Sequence, residues 1–283
     1  MKVLVIGAAI VDIIMYIDKL PKSGSDVLCK NNEFRVGGCA FNVSKVLKNE
    51  NINFDLFSPV GKGIVANYVK EELDKNKYNN FVVDQSQDNG YCLTLVENNG
   101  ERTFVTSKGI EKQFKKKWFN KYNLNKYEYI YFEGYRMSDN SGDLIISELE
   151  NYKDKKFIFC PGPNITNIDN DLMNRIMKLK PIIHLNKKEL LEYSKTDDIL
   201  IALKDLYQKS NNAIIVTLGS EGSSYYNNGE YLEFKISNKT KIYNTTGAGD
   251  THIGLIISWL INKNNSFNDA VEYANKNVIK YII

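Results

Sequence analysis

Asn244-Thr245-Thr246-Gly247-Ala248-Gly249-Asp250 is the stretch from which the rest of this 283-residue chain can be read. It follows a strand-like run, Thr240 to Tyr243, and precedes a strongly apolar segment, Ile253 to Ile261. A strand, a tight Gly-rich turn and a buried helix is the simplest local reading. The glycines let the backbone approach a ligand closely, and a helix N-terminus adds partial positive charge suited to a phosphate or a developing anion. Asp250 then falls in the first helical turn, beside that anion hole, where a carboxylate can take the proton of a hydroxyl attacking a phosphoryl group. The same residues also fit a structural turn, because an acid in the first turn favours the helix dipole without any chemistry. Two common phosphate signatures are absent: there is no Gly-x-x-x-x-Gly-Lys-Ser/Thr run, and His252 stands where the dinucleotide fingerprint needs its third glycine.

Composition narrows the class. Hydrophobic residues make up 43% and charged residues 25% of the chain, with a formal charge of +3, as in ordinary globular proteins. Lys115-Lys116-Lys117 is too short a run for a nucleic-acid surface and reads as a solvated helix face. No apolar run reaches the roughly 18–20 residues that span a bilayer. Met1 to Gly7 reads as a strand rather than a signal peptide. Cys29, Cys39, Cys92 and Cys160 are widely spaced, which points to reduced thiols in a cytoplasmic protein, and two histidines leave little for a zinc site.

Outward from the turn, the chain alternates buried-strand and helix patterns. Lys2 to Ile6, Asn53 to Val60, Tyr127 to Phe132, Lys156 to Phe159, Pro181 to Leu185 and Ala213 to Thr217 read as strands. Segments such as Ile64 to Lys75 and Gly142 to Tyr152 read as helices. This alternation predicts an α/β fold with a doubly wound, mainly parallel sheet and ligands at the C-terminal strand ends. Glu133-Gly134-Tyr135 and Asn164 sit at such ends, and His184 reads as a core histidine or one behind the site. Asp12 lies among apolar neighbours, where a buried carboxylate needs a partner such as a polyhydroxylated ligand; a surface acid on an edge strand fits as well. Gly37-Gly38-Cys39-Ala40-Phe41-Asn42 opens a helix with small residues that permit close backbone approach. Tyr91 to Val96 and Arg102 to Thr106 alternate around Asn98-Asn99-Gly100 as a hairpin. Asn186 with Glu189 three residues on has the spacing of a capping box.

Thr-Thr-Gly-Ala-Gly-Asp resembles the C-terminal signature of the ribokinase-like (PfkB) carbohydrate and nucleoside kinases, and Gly37 to Asn42 resembles that family's Gly-Gly-x-Ala-x-Asn. Both stand in the family's order and separation, and the resemblance covers nearly the whole chain. It implies a single ribokinase-like α/β domain over 1–283, with helices on both faces of the sheet and a small β lid from about 14–35 and 90–107. It implies transfer of the ATP γ-phosphate to a hydroxymethyl group of a small carbohydrate. Asp250 would be the base, with the Gly247, Ala248 and Gly249 N–H groups stabilising charge. Asp12, Gly37, Gly38 and Asn42 would hold the acceptor. Asn186, Thr217, Gly219, Gly222 and Asn275 would line the nucleotide site. Glu189 would serve Mg²⁺ through water.

The lid's apolar face could pack on a second copy to form a homodimer. A nucleoside kinase is the alternative enzyme, with Tyr16, Phe34, Phe41, Tyr91 and Phe104 available for base stacking; a catalytically silent sugar-binding protein is the alternative outside enzymes. Three departures stand out. Asn244 replaces an Asp that helps a monovalent-cation site in some members, which weakens the case for potassium. His252 replaces a frequent Phe. The chain ends at Ile283, where relatives commonly continue, so the adenine pocket is expected to be more open or completed differently.

Overall fold

The structure, a computed structural model, describes residues 2–236, 246–263 and 266–282. The strand expected over Thr240 to Tyr243, together with Asn244 and Thr245, lies outside the described residues.

Strands β1 (Val3–Ile6), β2 (Ile10–Tyr16) and β3 (Asn31–Gly37) lead into helix α1 (Cys39–Asn49). Next come β4 (Phe54–Phe57), β5 (Pro59–Val60), α2 (Ile64–Lys75), β6 (Val82–Val83), β7 (Tyr91–Val96) and β8 (Arg102–Ser107). The middle of the chain carries α3 (Lys116–Phe119), β9 (Tyr129–Glu133), α4 (Gly134–Met137), α5 (Gly142–Leu149), β10 (Lys156–Cys160), α6 (Asn170–Lys178), β11 (Ile182–Asn186), α7 (Lys187–Ser194) and α8 (Ile199–Ser210). It closes with β12 (Ile214–Thr217), β13 (Gly222–Asn227), β14 (Glu230–Lys235), α9 (Ala248–Lys263), α10 (Phe267–Asn277) and α11 (Ile279–Ile282).

Eight strands form the main sheet in the order β14-β13-β12-β11-β10-β9-β1-β4. Pairings from β4 through β12 are parallel, and the β13–β14 hairpin adds an antiparallel edge. The physical cause is visible in β1, whose four residues are all buried. Side chains alternate across a strand, so Val3 and Val5 enter one core while Leu4 and Ile6 enter the other. A strand covered on both faces must be apolar throughout. The first core is closed by α1, α2, α9 and α10, and the second by α5, α6 and α8. Side-chain caps begin several of these helices: Asp169 for α6, Asp198 for α8 and Ser266 for α10.

The strand expected over Asn53 to Val60 is divided. Pro59 has no N–H to donate to a continuing ladder, and β5 leaves the main sheet to pair with β6.

A second sheet, β3-β2-β7-β8, stands apart from the main one. It begins at Ile10, four residues before the expected lid boundary, and residues 17–30 contribute no strand to it. Its register sets Arg35, Asp12, Cys92 and Thr106 in one row, with Phe104 and then Arg102 further along the same face. Among the described residues, no helix is long and apolar enough to cross a membrane.

The two sheets differ in how well their backbone is covered. Phe104 and Val105 in β8 are 56% and 57% exposed, whereas all of β9 is buried. Amides of β8 should therefore exchange at least about 100-fold faster than those of β9, since poorly packed elements open at low free energy. Hydrogen exchange read by mass spectrometry checks this, and equal protection would mean a rigid lid.

Candidate active site

Helix α9 begins at the Gly-rich turn. Gly247 has φ +77°, a left-handed conformation in which glycine avoids the Cβ penalty, and its carbonyl accepts from the Thr251 N–H at 2.8 Å. The first-turn N–H groups have no intrahelical acceptor, and among the described residues none accepts from those of Ala248 or Gly249. N–H groups of this kind, at the positive end of a helix, can take an anion. Asp250, in that first turn, accepts from the Asn42 side-chain amide at 2.9 Å. Burial raises the Asp250 carboxyl above its ordinary range, opposed by hydrogen bonds from Asn42 and from the Cys39 thiol.

The acceptor-side glycines have steric reasons. A β-carbon on Gly37 would lie 2.2 Å from the Asp12 carboxylate, and one on Gly38, at φ +97°, would lie 2.5 Å from the Ala8 carbonyl. The chain can pass over Asp12 and start α1 only without those side chains. Asp12 itself is on an interior strand of the second sheet, not an edge. Its carboxyl is raised by burial, lowered by Arg35, whose Nε is 3.7 Å away, and raised again by Asp250. Asp12, Asn42, Thr246 and Gly247 line one cavity of about 620 Å³.

A second cavity of about 260 Å³ lies on the other side of the turn, lined by Asn186, Glu189, Thr217 and residues 247–250. Gly247 borders both. Asn186 and Glu189 form a full capping box at the start of α7, with the Asn186 side chain also donating to Glu189 Oε1 at 2.6 Å. Gly219 turns at φ +63° with open space where a β-carbon would point.

Two expected nucleotide residues are placed differently. A β-carbon on Gly222 would meet the Phe234 carbonyl at 1.9 Å, so backbone contact with β14 accounts for that glycine. Asn275 is buried, and both its amide protons are taken, by Ser223 Oγ and the Phe234 carbonyl. It lines neither of the two cavities.

That packing sets a buried polar chain that the sequence did not announce. The Phe234 carbonyl can only accept, so the Asn275 oxygen is the atom facing His252 Nε2, at 3.2 Å. His252 Nε2 must then carry a proton, and Nδ1 accepts from His184 Nε2 at 2.9 Å. Both rings are neutral, and His184 lies under the turn, with Cε1 4.0 Å from where a β-carbon of Gly249 would stand. Glu133 was legible only as a strand end. It proves buried, accepts from the Ala8 N–H at 3.0 Å, and is pushed up to about 7 by burial despite Arg136 beside it. Cys39 and Cys160 border the smaller cavity as free thiols, raised by burial.

Residues 1–277 match the family described as pfkB family carbohydrate kinase. The chain is 32% identical over 265 residues to an uncharacterized sugar kinase of Escherichia coli, YegV, covering 91% of this chain and 81% of that one. Its fold is similar to that of the nucleoside kinase of Methanocaldococcus jannaschii, with a TM-score of 0.80 at 18% identity over 98% of this chain and 90% of the other. It is also similar to that of an Arabidopsis thaliana ribokinase complexed with ribose and ATP, with a TM-score of 0.75 at 16% identity over 99% and 98%.

The histidine pair generates a pH dependence. Burial lowers His252 to about 4, against about 6.5 in an unfolded chain, so the unfolded state binds the proton first as pH falls. The stability contributed by neutral His252 is complete above about pH 6.5 and is lost progressively toward about pH 4. Between about pH 7.5 and pH 5, the wild type should lose about 2 kcal/mol more stability than His252→Phe, which has no such titration. Urea denaturation at both pH values measures it, and parallel losses would remove His252 as the source.

Proposed function

Since this chain belongs to the pfkB family of carbohydrate kinases, we propose that it transfers the γ-phosphate of ATP to a hydroxymethyl group of a small carbohydrate. The observation that carries the reading is the position of Asp250. Its carboxylate is bonded to Asn42 on the acceptor side and stands in the turn that borders both cavities. An acceptor in the larger cavity and a triphosphate in the smaller one would meet at the Gly247 to Gly249 N–H groups. The ATP bound in the Arabidopsis ribokinase supports the same donor here.

In the proposed reaction the acceptor hydroxyl oxygen attacks Pγ, and the bond from Pγ to the β,γ-bridging oxygen breaks. ADP leaves with that electron pair, and the hydroxyl proton passes to Asp250. The Ala248 and Gly249 N–H groups would face charge on the transferring phosphoryl group, which makes the catalysis positional and electrostatic. Burial above the ordinary carboxylate range makes Asp250 a stronger base while Asn42 holds its orientation. Asp12 would accept from acceptor hydroxyls.

The donor set near Glu189 fits Mg²⁺. Among the described residues, no three metal-ligating side chains cluster, and an ion that keeps its waters and binds one carboxylate plus phosphate needs no such cluster. Glu189 would hold it through water, and when bound it would neutralise phosphate charge. Glu189 already accepts from the Asn186 N–H and side-chain amide.

The M. jannaschii relative is a nucleoside kinase, but the lid aromatics favour a smaller acceptor. Phe41 is 1% exposed. Phe34 and Tyr91 pair with Ile13 and Val11, on the face away from Asp12. Tyr16 and Phe104 alone of the five share Asp12's face. The outward Phe34, Tyr91 and Val105 are exposed and would suit a second copy's lid. Sedimentation showing only monomer across concentrations would refute that dimer.

Asp250→Asn keeps the shape of the side chain but removes the base. Turnover should fall by about 10²–10⁴-fold, with acceptor affinity changed much less, because the proton moves only during reaction. The measurement is kcat and acceptor binding under saturating Mg·ATP. Turnover within about threefold of wild type, well short of the general-base range, would refute the assignment and favour a structural acid.

A further inference from the structure

The cations of the acceptor cavity go beyond what a neutral sugar requires. Its described lining includes Arg35, Lys45 and Lys280 against one carboxylate, Asp12. Lys45 follows Asn42 by three residues on α1, so the two share a helix face. Among the described residues, neither Lys45 nor Lys280 pairs with a carboxylate, and Lys280 donates to the Asn277 side chain.

Arginine usage sharpens the point. The chain holds only four arginines among its 37 lysines and arginines. A planar fork differs from a lysine in binding two oxygens at once. Two of the four lie outside the second sheet. Arg175 bonds both Glu150 carboxylate oxygens, and Arg136 is buried against Glu133, Asp139 and the Glu111 carbonyl. The other two, Arg35 and Arg102, lie on the lid face that carries Asp12. Arg102 donates to Thr246 Oγ1 at 2.8 Å, beside the anion turn. Arg35 Nε stands 3.7 Å from the Asp12 carboxylate, longer than the roughly 2.7–2.9 Å of a charge-assisted hydrogen bond.

We infer that the acceptor is an anionic carbohydrate whose carboxylate or phosphate is held between Arg35 and Lys45 while a hydroxymethyl group faces Asp250. The inference rests on the kinase reading above and specifies its substrate class. A cavity of about 620 Å³ has room for a sugar bearing such a group. Asp12 offsets the Arg35 charge before binding, and the anion supplies a two-oxygen partner afterwards.

The test compares neutral pentoses and hexoses with their aldonic or uronic acids and with their monophosphates, under Mg·ATP, for wild type, Arg35→Gln and Lys45→Gln. For wild type, kcat/KM for one anionic series should exceed that of its neutral counterpart at least tenfold. Arg35→Gln should reduce this preference at least tenfold, mainly through KM, and Lys45→Gln should reduce it less. The series preferred identifies carboxylate or phosphate as the source of charge. Neutral sugars used equally well by wild type, or an anionic preference untouched by Arg35→Gln, would overturn the inference and leave the kinase reading standing. If no acceptor is phosphorylated, the kinase reading fails, and thermal shift decides the anion site separately. Sugar acids or phosphates that raise the Tm of wild type but not of Arg35→Gln support it; no shift in wild type overturns it.

Discussion

The hydrogen bond from Asn42 to Asp250, 2.9 Å long, joins the first turns of two helices that are 208 residues apart in sequence. Its geometry depends on how closely α1 and α9 approach. At Gly254 a β-carbon would lie 2.8 Å from the Val46 β-carbon, so the helices meet where one has no side chain. This contact fixes the distance between the α1 wall of the larger cavity and the Gly-rich turn. The first-turn N–H groups of Ala248 and Gly249 have no acceptor among the described residues.

The turn is supported from beneath by polar groups that the core must accommodate. His184, His252, Asn275 and Ser223 form a chain in which each proton position follows from the last acceptor. A buried polar group costs free energy unless its hydrogen bonds are complete; here completion requires His252 to be neutral, and burial favours neutral His184 as well. The same logic governs Glu133, whose Oε1 takes the Ala8 N–H at the end of β1. Gly7 is tied to that arrangement, because a β-carbon there would stand 2.6 Å from the Glu133 carboxyl carbon. These groups hold the strand ends in register with the turn, so that Cys160, Asn186 and Thr217 converge on the smaller cavity.

The second sheet adds a different kind of control. Arg35 and Asp12 of its row Arg35-Asp12-Cys92-Thr106 line the larger cavity, and Arg102 connects its far strand to Thr246 beside the Gly-rich turn. A sheet attached this way can exclude water from the transferring phosphoryl group, since hydrolysis competes with transfer to a hydroxyl. The exposed surface of β8 is compatible with movement of that sheet, whereas the buried strands of the main sheet form the fixed platform.

The main sheet and both glycine turns were legible in the sequence because their signals are local. Apolar runs of four or five residues ended by a glycine or a polar residue mark strands buried on both faces, and all six parallel strands appeared within a few residues of their observed bounds. Asp250, Asn42 and the capping box of Asn186 with Glu189 were also visible, since helix starts have short-range rules. The sequence could not tell whether Asp12 sat on an edge strand, that Gly222 serves the backbone of β14, or that Asn275 turns away from the cleft toward His252. Those outcomes depend on which strands become neighbours and on which buried donor finds which acceptor. Local residue types therefore determined the elements and the identity of the candidate base. Packing between segments far apart in sequence alone decided the partners, the protonation states and the charge of the acceptor cavity.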